Sequence, residues 1–222
     1  MIQIAIDGPA GAGKSTIARK VAAEIGFLYV DTGALYRALG LFALQRDAAP
    51  DDVAAVTALL PQIHLSLQFE NGAQKVFLQG EDVSEQIRTP EVSRASSLVS
   101  AIPQVRTFLF DLQKQLAEQN NVIMDGRDIG TVVLPDAQLK IFLTASPEDR
   151  AQRRFQEMQQ KGQPADYARV LADIRRRDEQ DTHRAVAPLK AAMDALKVDT
   201  TGNTLEESVA LLRNLIREKL GV

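Results

Sequence analysis

One stretch near the start constrains the chain more than any other: Gly8-Pro9-Ala10-Gly11-Ala12-Gly13-Lys14-Ser15, followed by Thr16. It meets every fixed position of the spacing G-x-x-x-x-G-K-[ST], the phosphate-cradling P-loop. Glycines let the backbone curl through φ > 0, so that successive N–H groups point at one cluster of anionic oxygens. At this spacing Lys14 reaches the β- and γ-phosphates of a nucleotide. The Ser15 hydroxyl can take one place on Mg2+, an ion that otherwise keeps water and phosphate oxygens. The flanks agree with the motif. Ile2-Gln3-Ile4-Ala5-Ile6 is a short apolar run, and Ile17, Val21, Ala22 and Ile25 recur at helical spacing. Strand, glycine loop and helix together aim a helix N-terminus at phosphate. Motif and context point to a nucleoside triphosphate site rather than an ordinary glycine turn of a βα unit.

Downstream, strand and helix alternate. Phe27-Leu28-Tyr29-Val30 reads as a strand ending in Asp31-Thr32-Gly33, and a helix follows from about Ala34 to Gln45. Val53 to Leu60 is a short helix. The period then changes to two: His64 to Phe69 alternates, Asn71-Gly72 follows, and Lys75-Val76-Phe77-Leu78 completes a hairpin pattern. Two helices, Glu91 to Ser100 and Val105 to Glu118, flank Pro103. Strands are expected at Asn121–Asp125, Leu139–Thr144 and Ala195–Asp199. Ser146 is a good N-cap with Pro147 behind it. A second Arg-rich helix runs from about Ala165 to His183, and Thr204 to Leu220 closes the chain. The pattern predicts an α/β fold: a five-stranded parallel sheet with helices on both faces, plus a small inserted antiparallel subdomain at about Ile63 to Ser84. Ligands of such sheets bind beyond the carboxyl ends of the strands, where Gly8–Ser15, Asp31, Asp125-Gly126-Arg127 and Asp199 all fall.

Composition narrows the function classes. The 222 residues contain no cysteine and only two histidines, His64 and His183, which excludes disulfides, thiolate metal sites and a histidine metal cluster. No run is long and apolar enough for a membrane span, and the chain starts without a targeting segment, so a cytoplasmic protein is expected. A net charge of −3 argues against general binding to a nucleic acid polymer. Arginine outnumbers lysine, 17 to 9, and 8 of the arginines lie between Arg150 and Arg184. A planar guanidinium grips phosphate through two parallel hydrogen bonds, which gives that preference meaning. Carboxylates are interspersed there too, so a solvated helix face with i,i+4 partners competes with a ligand role for any single arginine. Arg177, Asp181 and Arg184 stand at i, i+4 and i+7, which favours a shared face for those three.

A P-loop serves kinases, switches and motors alike. None of the five asparagines is followed by lysine, so the Asn-Lys-x-Asp guanine reader is absent. Met124-Asp125-Gly126 lacks the Asp-Glu ending of motor ATPases. A small-molecule kinase needs a cover that excludes water, and the polar Arg150–Arg184 segment, broken at Gly162 and Pro164, fits that need. An acceptor that is itself a phosphate needs no strong general base, and the chain shows no obvious one.

The chain resembles the bacterial cytidylate (CMP/dCMP) kinases, nucleoside monophosphate kinases of the P-loop fold, along essentially its whole length. The segments that carry the resemblance are Ile6-Asp7-Gly8-Pro9 through Ser15, Asp31 to Arg37, Gly80-Glu81-Asp82-Val83-Ser84, Ile87 to Val92, Asp125 to Gly130, and Arg184 to Leu189. The resemblance implies a single kinase unit. Its core would be residues 1–62 and 119–222 with a short helical lid at about 150–184, and 63–118 would be an inserted monophosphate-binding region. It implies transfer of the γ-phosphoryl of ATP, with Mg2+, to CMP or dCMP. Residues Gly8 to Thr16 would hold the donor: Gly8, Pro9, Ala10, Gly11, Ala12, Gly13, Lys14, Ser15 and Thr16. Lys14, Arg127 and Arg184 would be catalytic. Arg37, Arg127 and Arg184, with Thr32 beside them, would grip the acceptor phosphate. Ser97, Arg106 and Asp128 would read cytosine, the carboxylate accepting from the N4 amino group and facing the corresponding oxygen of uracil with repulsion. Arg177 and Asp181 would contact the sugar hydroxyls, and lid residues Arg150, Arg153 and Arg154 would neutralise the transition state. Ser15 stands where other members carry Gly and restores a hydroxyl for the metal. Asp125 either supports the metal from behind or caps local N–H groups. A kinase for another monophosphate such as UMP, and a non-catalytic regulator binding ATP and CMP, are the alternatives. The short lid and acidic isoelectric point suggest a monomer.

Overall fold

A computed structural model describes residues 1–70 and 73–222; the expected Asn71-Gly72 turn lies outside the described residues. In chain order the elements are β1 (Gln3–Asp7), α1 (Lys14–Ile25), β2 (Leu28–Asp31), α2 (Thr32–Gln45), α3 (Val53–Leu59), β3 (Leu65–Glu70), β4 (Ala73–Leu78), β5 (Glu81–Asp82), α4 (Pro90–Val99) and α5 (Pro103–Gln119). There follow β6 (Val122–Gly126), a π-turn at Ile129–Val133, β7 (Leu139–Thr144), α6 (Pro147–Gln160), α7 (Tyr167–His183), β8 (Leu196–Asp199) and α8 (Leu205–Leu220). The five-stranded parallel sheet, flanked by helices, has the order β2-β6-β1-β7-β8, and β3-β4-β5 form a separate antiparallel sheet. The strand that delivers the P-loop is therefore central. Ile4, Ala5 and Ile6 are all buried, so both faces of β1 are covered, as expected for a central parallel strand.

Backbone proximity divides the chain into two compact units, residues 28–122 with Met1, and residues 2–27 with 123–222. In the first, β3 keeps the alternation seen in the sequence: Leu65, Leu67 and Phe69 are half-buried while Ser66, Gln68 and Glu70 are exposed. Leu67 pairs opposite Val76, and Leu65 opposite Leu78. Helix α2 is apolar on two sides. Leu35 and Leu39 pack with Val99, Val105 and Leu109, whereas Ala38 and Phe42 pack with Val76, Leu78 and Val92. A helix so used belongs in a core, which explains its high apolar content.

In the second unit, β1 and β7 pair in parallel with Ile4 opposite Leu139 and Asp7 opposite Phe142, and β7 pairs with β8 up to Thr144 opposite Asp199. The Ser146 side chain accepts from Asp149 N, with Pro147 in the first turn, as its sequence suggested. Asp166 caps α7 in the same way, and Thr204 with Glu207 forms a capping box at α8. Ala151, Val170 and Ile174 pack α6 on α7, with Phe155 edge-on to Tyr167 at 6.1 Å between ring centres.

Two features differ from the sequence reading. Helix α7 stops at His183, the end that the sequence predicted, so Arg184, at φ −61°, ψ 142°, leaves the helical face suggested by its spacing from Arg177 and Asp181. The one-face spacing thus holds for Arg177 and Asp181 but not for Arg184. The segment beyond turns back, with Ala187 at φ +49° and Leu189 N donating to Asp181 O at 2.7 Å. The π-turn after β6 is the second, since no periodicity in five residues announces it.

Candidate active site

The P-loop of the second unit is built on close backbone approach. Gly8 has φ +151°, and a Cβ placed there would lie 1.9 Å from the Leu143 carbonyl oxygen of β7. Gly13, at φ +83°, occupies the N-cap of α1 and supplies no side-chain acceptor to the first turn. The N–H groups there remain available to an anion, which the helix dipole favours. Lys14 is only 5% exposed, and its Nζ donates to Pro9 O at 2.8 Å. Burial, and then the charge of Arg127, lower its pKa to about 7 against the opposing pull of Asp125, Asp7 and Asp181. The Ser15 hydroxyl donates to Asp125 Oδ2 at 2.9 Å. These two hard oxygen groups fit the ligand preferences of Mg2+.

The lowered lysine has a measurable consequence. A polyphosphate beside Lys14 favours its charged form, so binding MgATP above pH 7 should draw a proton from solution. Uptake should rise toward about one proton near pH 8 to 9, read by calorimetry in buffers of different ionisation enthalpy. Binding at pH 8 with no proton uptake would show that Lys14 is already charged in the free protein, or that it stays apart from the phosphates.

Around the loop, arginines and carboxylates are paired. Arg127 Nε donates to Asp181 Oδ2 at 2.7 Å. Burial alone would raise Asp181, but Arg127, Arg184 and Arg177 outweigh it and hold the carboxyl below its usual range. Burial likewise acts to lower Arg127, and Asp181, Asp125 and Asp178 more than reverse it. Arg184 donates through Nη2 to Asp128 Oδ1 at 3.3 Å and through Nε to Ala187 O at 2.6 Å. Of the lid arginines, Arg150 is 3% exposed and binds Ala10 O at 2.9 Å, Ala145 O at 2.9 Å and both oxygens of Asp178. In this arrangement it braces α6 and α7 to the P-loop backbone. Arg153 pairs with Asp149 and donates to Thr200 O, while Arg154 is exposed.

The first unit holds the other candidates. Asp31 caps α2 by accepting from Ala34 N at 3.0 Å, and its other oxygen takes Arg37 Nη2 at 2.7 Å. Gln74 clamps the Asp31 backbone from both sides, donating to its carbonyl and accepting from its N–H. Thr32 is buried in the first turn of α2. Arg106 is 9% exposed, donates to Ser100 O at 3.1 Å and lies over the Tyr36 ring, 5.4 Å from its centre. Ser97 is half-buried, one turn before that carbonyl on α4.

Three carboxylates take parts that the sequence reading did not assign, although Asp31 already stood there among the strand-end residues. Asp31 orients Arg37, Asp178 holds Arg150, and Asp7 accepts from the N–H groups of Ile129 and Gly130. Asp7 and Asp31 left the same signal, a carboxylate closing an otherwise apolar strand.

A central parallel strand that hands its glycine loop to a helix N-terminus, with a buried lysine and paired arginines beside it, defines a P-loop phosphotransferase site. A crystal structure of an uncharacterized protein from Eubacterium ventriosum shares the fold, with a TM-score of 0.53 at 12% identity over 97% of this chain and 98% of the other. The cytidylate kinase family model matches residues 4–218. The cytidylate kinase of Caldicellulosiruptor bescii is 52% identical over 206 residues, 93% of this chain and 91% of that one. That of Desulfitobacterium hafniense is 51% identical over 219 residues, 99% and 94% of the two chains. The chain belongs to the cytidylate kinase family.

Proposed function

We propose that this protein transfers the γ-phosphoryl group of MgATP to CMP or dCMP, giving ADP with CDP or dCDP. Family membership across residues 4–218 carries this reading, and the buried Lys14 beside a P-loop supports the donor half. The P-loop N–H groups and Lys14 hold the β- and γ-phosphates and fix the γ-phosphorus for in-line attack. Ser15, with Asp125 behind it, would hold Mg2+, which would supply positive charge to the phosphates. An oxygen of the acceptor phosphate forms the new bond to phosphorus as the bond to the β,γ-bridging oxygen breaks. A phosphate monoester has its second pKa near 6, so at neutral pH it is already a nucleophile and no base is required.

In the same reading Arg37, Arg127 and Arg184 align the acceptor phosphate, with Thr32 supporting. Asp181 and Arg177 take the sugar hydroxyls. Ser97, Arg106 and Asp128 read cytosine. Arg150, through its bonds to Ala10 and Asp178, couples the lid to the donor loop, and Arg153 and Arg154 supply further positive charge. The buried Arg184–Asp128 pair joins two of these groups directly.

Coupled ADP release with CMP, dCMP, UMP, AMP, GMP or buffer alone tests the reading. Turnover should be highest with CMP and dCMP and near zero in buffer; ADP release indifferent to the monophosphate would instead mean an ATPase or regulator. Asp128→Asn should raise KM for every pyrimidine acceptor, because Arg184 loses a charged partner. The CMP/UMP ratio of kcat/KM should fall by at least about tenfold, because the carboxylate that repels uracil is gone. An unchanged ratio removes Asp128 from base reading.

A further inference from the structure

Among the described residues, Asp7 makes no hydrogen bond to Lys14 or to any other charged side chain. It is the last residue of β1, is 4% exposed and receives two backbone donors, Ile129 N at 2.7 Å on one oxygen and Gly130 N at 2.8 Å on the other. Those donors open the π-turn immediately after Arg127 and Asp128. A bidentate carboxylate fixes two adjacent peptide planes and with them the exit direction of the preceding residues. Asp128 sits at that exit with φ −148°, ψ 26°, and its carbonyl accepts from Val132 N at 2.9 Å to close the turn. The turn is made for this approach. A Cβ on Gly130 would lie 3.2 Å from the Lys140 side chain and 3.4 Å from Asp7 Oδ2.

We propose that Asp7 is a positioning residue for acceptor recognition: its carboxylate ties the strand end that launches the P-loop to the turn that presents Arg127 and Asp128. The inference rests on the reading of this site as a CMP kinase. Burial raises the Asp7 pKa to about 6, with Asp128 adding to the rise, and the two N–H bonds and Lys14 oppose it. The site therefore keeps a carboxylate that burial disfavours, and its two backbone bonds are what the burial secures. A side chain needed only to fill that volume would be apolar.

The test compares wild type with Asp7→Asn, which keeps the shape but turns one acceptor oxygen into an NH2 facing an N–H. Positioning predicts a KM for CMP raised by about tenfold or more and a CMP/UMP ratio of kcat/KM lowered severalfold, with the affinity for MgATP within about threefold. Asp7 also faces the charge of Lys14, and an effect exerted that way would lower kcat and weaken MgATP while leaving the CMP/UMP ratio untouched. That pattern overturns the proposal, as does an Asp7→Asn enzyme with wild-type constants. Should Asp7→Asn fail to fold, Asp7→Glu keeps the charge but displaces both acceptor oxygens by one methylene from the Ile129 and Gly130 N–H groups. It should shift the same two quantities in the same direction, and unchanged values would overturn the proposal. A wild-type protein with no CMP-dependent ADP release would bring down the kinase reading and this inference together; active wild type with indifferent variants would bring down this inference alone.

Discussion

Lys14→Met should lower kcat by roughly 100- to 1000-fold, the range that follows when one preorganised donor to a developing charge is removed. The aliphatic stem is preserved, so the change isolates the ammonium. Lys14 Nζ donates to Pro9 O at 2.8 Å, a bond that a phosphate oxygen could replace. The fold should tolerate its loss. Lys14 has a folded pKa of about 7 against a model-compound value of 10.5. Between those values the unfolded chain binds the proton more readily than the folded one, so this lysine lowers stability on the acid side of the window and the penalty fades as pH rises toward 10.5. At pH 7 to 8 Lys14→Met should therefore melt at least as high as wild type. Steady-state kinetics and thermal melts at pH 7.5 check both halves. Unaltered turnover would remove Lys14 from the mechanism, and a large drop in melting temperature would mean that its charge supports the fold.

Gly8→Ala should be the most damaging single-methyl change in the protein. The added Cβ would meet the Leu143 carbonyl oxygen at 1.9 Å, a clash between backbone atoms that no rotamer change relieves. The φ of +151° adds strain for any residue with a Cβ. Either the loop leaves β7 or the strand moves, and a loss on the order of 3 kcal/mol or more is expected. MgATP affinity should fall by about 100-fold or more, because the N–H groups no longer converge. Gly11→Ala is the control. Its Cβ would meet the nearest atom, Arg150 Cβ, at 3.5 Å, an ordinary contact, so only the cost of φ +75° remains, about 1 to 2 kcal/mol. Denaturant melts and nucleotide titration of both variants decide the matter. Equal losses would show that positive φ, rather than the approach to Leu143, requires glycine at position 8.

Much of the architecture was readable because local chemistry and global fold agree here. Ser146-Pro147 predicted the start of α6 to the residue, since a side-chain acceptor and a fixed φ act within one turn. The alternation from His64 to Phe69 predicted β3 for a similar reason: a half-buried strand needs one apolar face. Arg184 was misplaced by the same kind of argument. The predicted helix already ended at His183, so i+7 spacing could not keep Arg184 on its face; a returning segment, whose Ala187 carbonyl accepts from Arg184 and whose Leu189 N–H binds Asp181 O, sets its place instead. The π-turn was illegible because no five-residue pattern announces its Leu134 N to Ile129 O bond, and the Asp7 carboxylate that anchors its first two N–H groups lies more than 120 residues away in sequence.

The arginines show the division most clearly. Their number and placement pointed to phosphate, and a kinase with a phosphate acceptor followed from them together with the P-loop and the family motifs. Sequence could not say which of them face protein oxygens in the free state. Arg150 is held in the protein by Ala10 and Asp178, Arg127 by Asp181, and Arg37 by Asp31. The partners of Arg127 and Arg150 are distant in the chain, so their pairing depends on which strand ends and helices the fold brings together.

By itself, then, the sequence determined the phosphate loop, the alternation that makes a parallel sheet, and the residue types available for a nucleotide donor and acceptor, because each is set by interactions within a few residues. Only the tertiary structure decided that Lys14 is buried enough to titrate near neutrality, that Gly8 lies against Leu143, and that Asp7 holds the turn bearing Arg127 and Asp128. Desolvation, steric approach and long-range hydrogen bonding are properties of neighbours in space, and no local pattern specifies those neighbours.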